Sequence, residues 1–359
     1  MRIVLLSAAT SVHTQRWANA YAARGHEVHL IGQHPSSIGY HDDVTMHDLP
    51  HAVGLGYLLN GPRLARLLRE LKPDVVNAHY ATGYGTLARS VRGVPLVLNV
   101  WGSDVFDFPE KSVLHKWWVR RNLVAATWVV STSEAMADRT RQLVPGPGRL
   151  TVVPFGVDTR IYAPFLRKDD GPTLVIGTVK SLAPVYGIDV LIKAFARLVE
   201  HSPGAALRLR IVGDGPSRRE LEELAVDQGV GRLVEFTGAV PHSQVLAELQ
   251  RMDVFCALSR QESFGVAVIE ASACALPVIV SDAGGLPEVV KDGVTGMVVP
   301  RNDHEAAAKA MAQLVASSDL RRQWGTAGRV HVQANYEWAQ SVDRMESVLR
   351  EAIKTYRRA

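Results

Sequence analysis

Two glutamates, Glu262 and Glu270, stand with seven residues between them in the stretch SRQESFGVAVIEASACALPVIVSDAGGLPE (259–288). Glu262 falls in a polar turn. Glu270 falls about a turn and a half into an apolar helix, with Val266, Ala267, Val268, Ile269, Ala271 and Ala273 as neighbours. A carboxylate there is costly to bury unless something hydrogen-bonds it. Ser263-Phe264-Gly265 precede the helix, so their amides and the helix dipole can hold an anion such as a phosphate. Gly265 lets that backbone approach closely. Glu270 could accept from vicinal hydroxyls such as those of a ribose, and Glu262, at the mouth, from those of a sugar. Together these requirements describe a nucleotide sugar. The same residues also fit a plain helix start carrying an incidental acid, with a buried acid paired to protein.

These residues need elements to position them. A chain of 359 residues suggests two domains. Hydrophobic content of 47% and charged content of 21% belong to a soluble globular protein. Cys256 and Cys274 lie in apolar surroundings and read as buried free thiols, which fits a reducing cytosol. The N-terminal apolar run is too short for a signal peptide, and no apolar stretch reaches the roughly 20 residues of a membrane span. Net charge is +4, with 17 Lys and Arg against 12 Asp and Glu in residues 1–165 and 23 against 24 in the rest. The first half is the one that could face an anionic partner.

Strands are expected over 2–7, 27–31, 75–77, 95–100, 128–130 and 150–153, separated by helices, which is the alternation of a doubly wound parallel sheet. Residues 154–172, rich in Pro, Gly and charge, read as a linker. A second alternation follows, with strands at 173–179, 207–212, 233–236, 254–257, 278–280 and 296–299. Gly213-Asp214-Gly215 turns out of its second strand, and a last amphipathic helix covers about 339–355. The expected architecture is two Rossmann-like doubly wound domains facing across a cleft. Ligands of such sheets bind beyond the carboxyl ends of the strands.

The first half offers further candidates at such ends. His79 ends the strand DVVNA, and His13 sits in the first strand-to-helix loop. Trp101-Gly102-Ser103-Asp104 follows another strand, where Asp104 could hold an acceptor hydroxyl or only brace a tight turn. No D-x-D pair occurs and no His/Cys cluster has metal-ligand spacing, so metal-independent chemistry is expected. No G-x-G-x-x-G follows the first strand, where Ser7-Ala8-Ala9-Thr10 stands, which argues against a nicotinamide oxidoreductase. Lys111 to Arg121 (KSVLHKWWVRR) mixes cations with adjacent tryptophans and suggests contact with an anionic bilayer. Trp117 and Trp118 cannot share one helix face, so at least one should pack inward. No nucleic-acid recognition motif accompanies the basic residues.

The block ESFGVAVIEASACALPVIVSDAGGLPEVVKDGVTGMVVP (262–300) resembles the donor-site signature of the family 4 retaining glycosyltransferases, which have the GT-B fold. STSEAM (131–136), VVPFGVD (152–158), GIDVLIKAF (187–195) and IVGDGP (211–216) agree with that resemblance. By the resemblance, Glu270 binds the nucleotide ribose, Glu262 contacts the donor sugar, and the Phe264 and Gly265 amides meet sugar and diphosphate. His79 matches a family histidine near the acceptor. The family pattern G-R-x-x-x-x-K-G, whose cations hold the departing diphosphate, is not kept. Ser181 and Tyr186 stand at the Arg and Lys positions, and Lys180 is displaced by one residue. Arg260 is the other cation that could fold in. The donor contacts expected are therefore Lys180, Gly213, Arg260, Glu262, Ser263, Phe264, Gly265 and Glu270. The catalytic residues expected are His79, Lys180 and Glu262, and the acceptor contacts His13, Trp101 and Asp104.

The resemblance implies an acceptor domain at 1–165, with the helix 339–359 crossing back to it, and a donor domain at 166–338. It implies retaining transfer of a hexose or N-acetylhexosamine from a nucleoside-diphosphate sugar, a UDP-sugar being favoured, to a saccharide hydroxyl. No metal or other cofactor is implied. A lipid-linked acceptor, polysaccharide or glycoconjugate biosynthesis, and a cytoplasmic location peripheral to the inner face of the plasma membrane complete the expectation. The alternatives are a soluble natural-product or aminocyclitol acceptor, or a catalytically weak sugar-nucleotide-binding relative.

Overall fold

The computed structural model describes residues 1–34, 39–146, 148–165 and 173–358. It divides into two compact units, Met1–Pro154 with Ser341–Ala359, and Phe155–Gln340. The segment 155–165 therefore packs with the second unit rather than with the first. Its attachment is visible in the backbone, where the Val157 N–H donates to the Tyr336 carbonyl at 2.9 Å and the Trp338 N–H to the Val157 carbonyl at 3.0 Å. The end of the expected linker, 166–172, lies outside the described residues.

The first unit holds a seven-stranded parallel sheet of β1 (Arg2–Leu6), β2 (Glu27–Gly32), β3 (Val44–Asp48), β4 (Val75–His79), β5 (Leu96–Asn99), β6 (Trp128–Ser131) and β7 (Leu150–Val152). Its order is β3-β2-β1-β4-β5-β6-β7, reversing beside β1. The strands are Val- and Leu-rich because helices cover both faces of such a sheet; every residue of β4 and β5 is buried. β3 is the strand that hydrophobic patterning misses. It is an edge strand, VTMHD, with only Val44 buried, so it carries no apolar run to read.

The second unit holds a six-stranded parallel sheet of β8 (Leu174–Val179), β9 (Leu207–Val212), β10 (Val234–Gly238), β11 (Val254–Ala257), β12 (Val278–Ser281) and β13 (Gly296–Val299), in the order β10-β9-β8-β11-β12-β13. All six were expected from the sequence. The order reverses between β8 and β11, and the loops that leave these two strands at their carboxyl ends carry Lys180 and Glu262. Cys256 and Cys274 are buried and unbridged, and burial pushes the Cys274 thiol up to about 12.

The last helix, Trp338–Arg358, starts in the second unit, and from Ser341 onward it belongs to the first. There Glu346, nearly buried, sits 3.1 Å from His26 Nε2 and 3.3 Å from Arg24 Nη1, and Arg24 also reaches Asp343. Among the described residues, no helix is long and apolar enough to cross a membrane.

Candidate functional site

In the second unit, the loop after β11 brings Glu262 against the loop after β8. Lys180 Nζ donates to Glu262 Oε2, with both side chains largely shielded from solvent. The Ser259 hydroxyl donates to the same oxygen at 3.3 Å, and Ser281, ending β12, fixes Ser259 by donating to its carbonyl at 2.5 Å. The Lys180 ammonium also lies 4.5 Å from the centre of the Tyr186 ring. Tyr186, at the position of the absent family lysine, thus contributes a cation-binding face in place of a second cation.

Two glycines let this corner close. At Gly213 (φ +143°) an added Cβ would fall inside the Lys180 carbonyl, and at Gly284 (φ +51°) inside the Glu262 carbonyl. Both conformations are ones that only glycine adopts cheaply. Gly213 therefore acts by letting its backbone pass beside Lys180. The Gly285 N–H then donates to the Glu262 carbonyl at 3.1 Å, tying the loop after β12 to the acid's own backbone.

Arg260 was a candidate diphosphate cation. The structure instead seats its guanidinium on Asp189, at 2.8 Å and 2.7 Å in bidentate fashion, and on the Pro184 carbonyl at 2.5 Å. Burial works to raise the Asp189 carboxyl, but Arg260 outweighs it and holds the group below its ordinary range. Arg260 thereby clasps the loop bearing Lys180 to the loop bearing Glu262.

Behind Glu262, Gly265 precedes the helix Val266–Ala273, and Ser263-Phe264-Gly265 form its entry. The first four N–H groups of such a helix have no intrahelical acceptor, which leaves its opening a ready anion site. Phe264 is buried between the rings of Phe155 and Tyr336, at centroid distances of 6.3 Å and 5.6 Å, so the entry is rigidly set. Glu270 is buried, as read from its neighbours, and its partner is His242, whose Nε2 lies 3.1 Å from Oε1. The sequence reading missed His242. It opens the helix His242–Leu249 just past the carboxyl end of β10, a location that was itself a usable signal.

The first unit gathers a second group at the ends of β1, β4 and β5. His79 is buried with Nδ1 3.0 Å from Ser7 Oγ, and Ser7 Oγ is 2.7 Å from Thr14 Oγ1. Its ring packs on Trp101 at 4.5 Å, and His13 meets Trp101 edge-on at 5.8 Å. Burial, with His13 nearby, lowers the His79 pKa to about 3, so the imidazole is neutral at physiological pH. Tyr80 follows with φ +79°, a costly backbone for a bulky residue. His79, Tyr80 and Trp101 border a cavity of about 350 Å³, together with Ser7, Tyr57 and Tyr84.

Asp104, expected to meet acceptor, is fully buried and turned to the backbone. Its carboxylate accepts from the Ala81 N–H at 2.7 Å, the Gly102 N–H at 2.8 Å and the Trp101 N–H at 3.2 Å. It braces the two loops and presents no oxygen to a ligand. On the helix Val113–Val124, Trp118 turns inward and donates to Thr86 Oγ1 at 2.7 Å, while Trp117 stays outward with Arg121 5.0 Å from its ring. No group of three or more His, Cys, Asp or Glu is placed to hold a metal ion among the described residues.

Two Rossmann-like parallel sheets in one chain, each with polar groups gathered at the carboxyl ends of its strands, define the GT-B class. Comparison with known proteins agrees. A family model described as glycosyl transferases group 1 matches residues 163–331, and one described as glycosyl transferase 4-like matches residues 2–133. The D-inositol 3-phosphate glycosyltransferase of Corynebacterium efficiens is 31% identical over 306 residues, covering 78% of this chain and 71% of that protein. The GDP-mannose-dependent alpha-(1-6)-phosphatidylinositol monomannoside mannosyltransferase of Mycolicibacterium smegmatis is 34% identical over 212 residues, 55% of each chain. In fold, the crystal structure of Anabaena Alr3699/HepE in complex with UDP and glucose superposes with a TM-score of 0.80 at 18% identity, covering 98% of this chain and 100% of that one. The chain belongs to the group 1 glycosyltransferase family.

Proposed function

We propose that the protein is a retaining transferase that moves a hexose or N-acetylhexosamine from a nucleoside-diphosphate sugar to a hydroxyl of a saccharide acceptor. The second unit holds the donor and the first the acceptor. One observation carries this reading: the Lys180–Glu262 pair stands beside the opening of the helix that buries Glu270. Glu270 receives the ribose hydroxyls on the oxygen that His242 does not take. Glu262 receives the donor-sugar hydroxyls, and Lys180 with the Phe264 and Gly265 amides holds the diphosphate as its charge grows. That stabilisation needs no metal, because the helix opening and the ammonium supply the positive potential. The leaving diphosphate itself takes the acceptor's proton. Gly213 and Arg260 shape the pocket without meeting the diphosphate, Arg260 being committed to Asp189.

A uracil base is favoured by the fold neighbour with bound UDP, whereas the mannosyltransferase relative is named for GDP-mannose. The two relatives' names divide likewise between a free and a lipid-borne inositol acceptor. A lipid-linked saccharide, used in polysaccharide or glycoconjugate assembly at a cytoplasmic membrane face, is favoured by the outer side of the helix Val113–Val124. There Val113, Leu114 and Trp117 are exposed beside exposed Lys116, Arg120 and Arg121. A slower, weakly catalytic relative is the second reading, favoured by Tyr186 in place of the second cation.

Thermal-shift screening of the full chain against UDP-, GDP- and ADP-sugars tests the first reading. One nucleotide sugar should stabilise the protein and Glu270→Ala should abolish the response; undiminished stabilisation of that variant would overturn the ribose assignment. Release of nucleoside diphosphate in the presence of acceptor then separates an active transferase from a weak one.

A further inference from the structure

The cavity at the carboxyl ends of β1, β4 and β5 is defined by what it lacks. Its lining is aromatic and hydroxylic, with Tyr57, Tyr80, Tyr84 and Trp101 around Ser7, His34 and His79, and no Lys, Arg, Asp or Glu among the described residues borders it. At about 350 Å³ it is near the lower end of ligand pockets, the size for one small ring. We infer that this cavity takes an uncharged polyol ring, a monosaccharide unit or a cyclitol, and rejects a ring that bears a phosphate. This inference rests on the reading of the first unit as the acceptor domain and narrows its substrate class.

The polar groups suit hydroxyls. His79 Nδ1 is held by Ser7, and its Nε2 has no hydrogen-bond partner among the described residues, so in either tautomer it can exchange one hydrogen bond with a ring hydroxyl. The Tyr84 hydroxyl accepts from the Gln33 N–H at 3.0 Å and lies 2.8 Å from His34 Nδ1. Donation from Tyr84 to His34 leaves His34 Nε2 as an N–H donor. Burial lowers both histidines' pKa values, so neither supplies positive charge near neutral pH. Trp101 is wedged against His79 and His13, and its flat indole suits the C–H face of a ring.

A phosphate monoester brings a charge near −2 and three acceptor oxygens. Its recognition relies on charge-assisted donors, chiefly Arg and Lys, and burial without them is costly. The C. efficiens relative is named for a phosphorylated cyclitol, so this inference separates the present chain from that substrate class.

The test is calorimetric and requires no donor. The full chain is titrated with myo-inositol, methyl β-D-glucopyranoside and methyl α-D-mannopyranoside, and with a monophosphate ester of each. At least one neutral ligand should bind, its phosphate should bind at least tenfold more weakly, and raising salt from 50 to 300 mM should leave the neutral affinity unchanged. Trp101→Ala and, independently, Tyr57→Ala should weaken the neutral ligand tenfold while the thermal response to nucleotide sugar persists. Equal or tighter binding of a phosphate, binding by no neutral probe, or unchanged affinity in both variants would overturn the inference. A protein that no nucleotide sugar stabilises, but that still binds neutral rings selectively, would refute the transferase reading and leave this one standing.

Discussion

Glu270 Oε1 lies 3.1 Å from His242 Nε2, and the acid is almost wholly buried while the histidine is half exposed. The carboxylate is therefore oriented before any nucleotide arrives. His242→Ala would leave a buried carboxylate without its protein partner, at a cost of about 1–3 kcal/mol. The donor KM should rise about tenfold with kcat little changed, and His242→Asn should recover part of the loss. Steady-state kinetics with varied donor check this; an unaltered KM would remove His242 from the ribose site.

Lys180 meets Glu262 as an ion pair, so neither group is a simple charge in wait. Lys180→Met should lower kcat by about 100- to 1000-fold, the usual scale for one lost electrostatic donor. Glu262→Gln should instead act on donor-sugar discrimination. Single-turnover measurements separate the two, and a Lys180→Met protein of normal kcat would mean that the diphosphate is held elsewhere.

His79 is neutral in the folded chain down to about pH 3, whereas an unfolded histidine takes its proton near 6.5. Between those values the unfolded state binds more protons, so stability rises with pH and falls as the solution is acidified below about 6.5. The slope contributed is up to about 1.4 kcal/mol per pH unit. Urea unfolding from pH 8 to pH 4 should show a shallower acid decline for His79→Gln than for the native chain. Parallel declines would show that another group sets the acid limit.

Asp104 serves three backbone amides from a fully buried position. Asp104→Ala should destabilise the first unit by on the order of 3 kcal/mol, since several buried donors lose their acceptor together. Denaturant unfolding, with hydrogen exchange at Ala81 and Gly102, gives the measurement. A loss below about 0.5 kcal/mol would show that water replaces the carboxylate.

The second sheet was legible from its apolar runs, most plainly at β11 and β12, where every residue is buried, and so was Glu270, an acid among aliphatic neighbours. β3 was not, because Val44 is its one buried residue and an edge strand needs no apolar run. The expected diphosphate role of Arg260 gave way to Asp189, 71 positions away in sequence, and no local pattern reports such a pairing. Asp104 was seen as a choice between ligand contact and brace. The choice turns on whether the amides of Ala81, Trp101 and Gly102 converge, and only the folded chain shows that they do. Trp117 and Trp118 illustrate the middle case: helical geometry forbade a shared face, but Thr86 decided which one turned inward.

The spacing of Glu262 and Glu270 has a consequence for which donors are measured as correct. One acid is fastened to the loop after β12 through its own carbonyl, and the other lies inside the helix Val266–Ala273. The helix rises roughly 6 Å between Val266 and Glu270, and neither end is free to slide. In the proposed donor site the two carboxylates thus work as a caliper with locked jaws. A molecule whose sugar and ribose are joined through two phosphates can touch both jaws at once. On the proposed roles, a sugar joined to its nucleoside through a single phosphate should reach one jaw and not the other, and so bind more weakly than its diphosphate-linked counterpart.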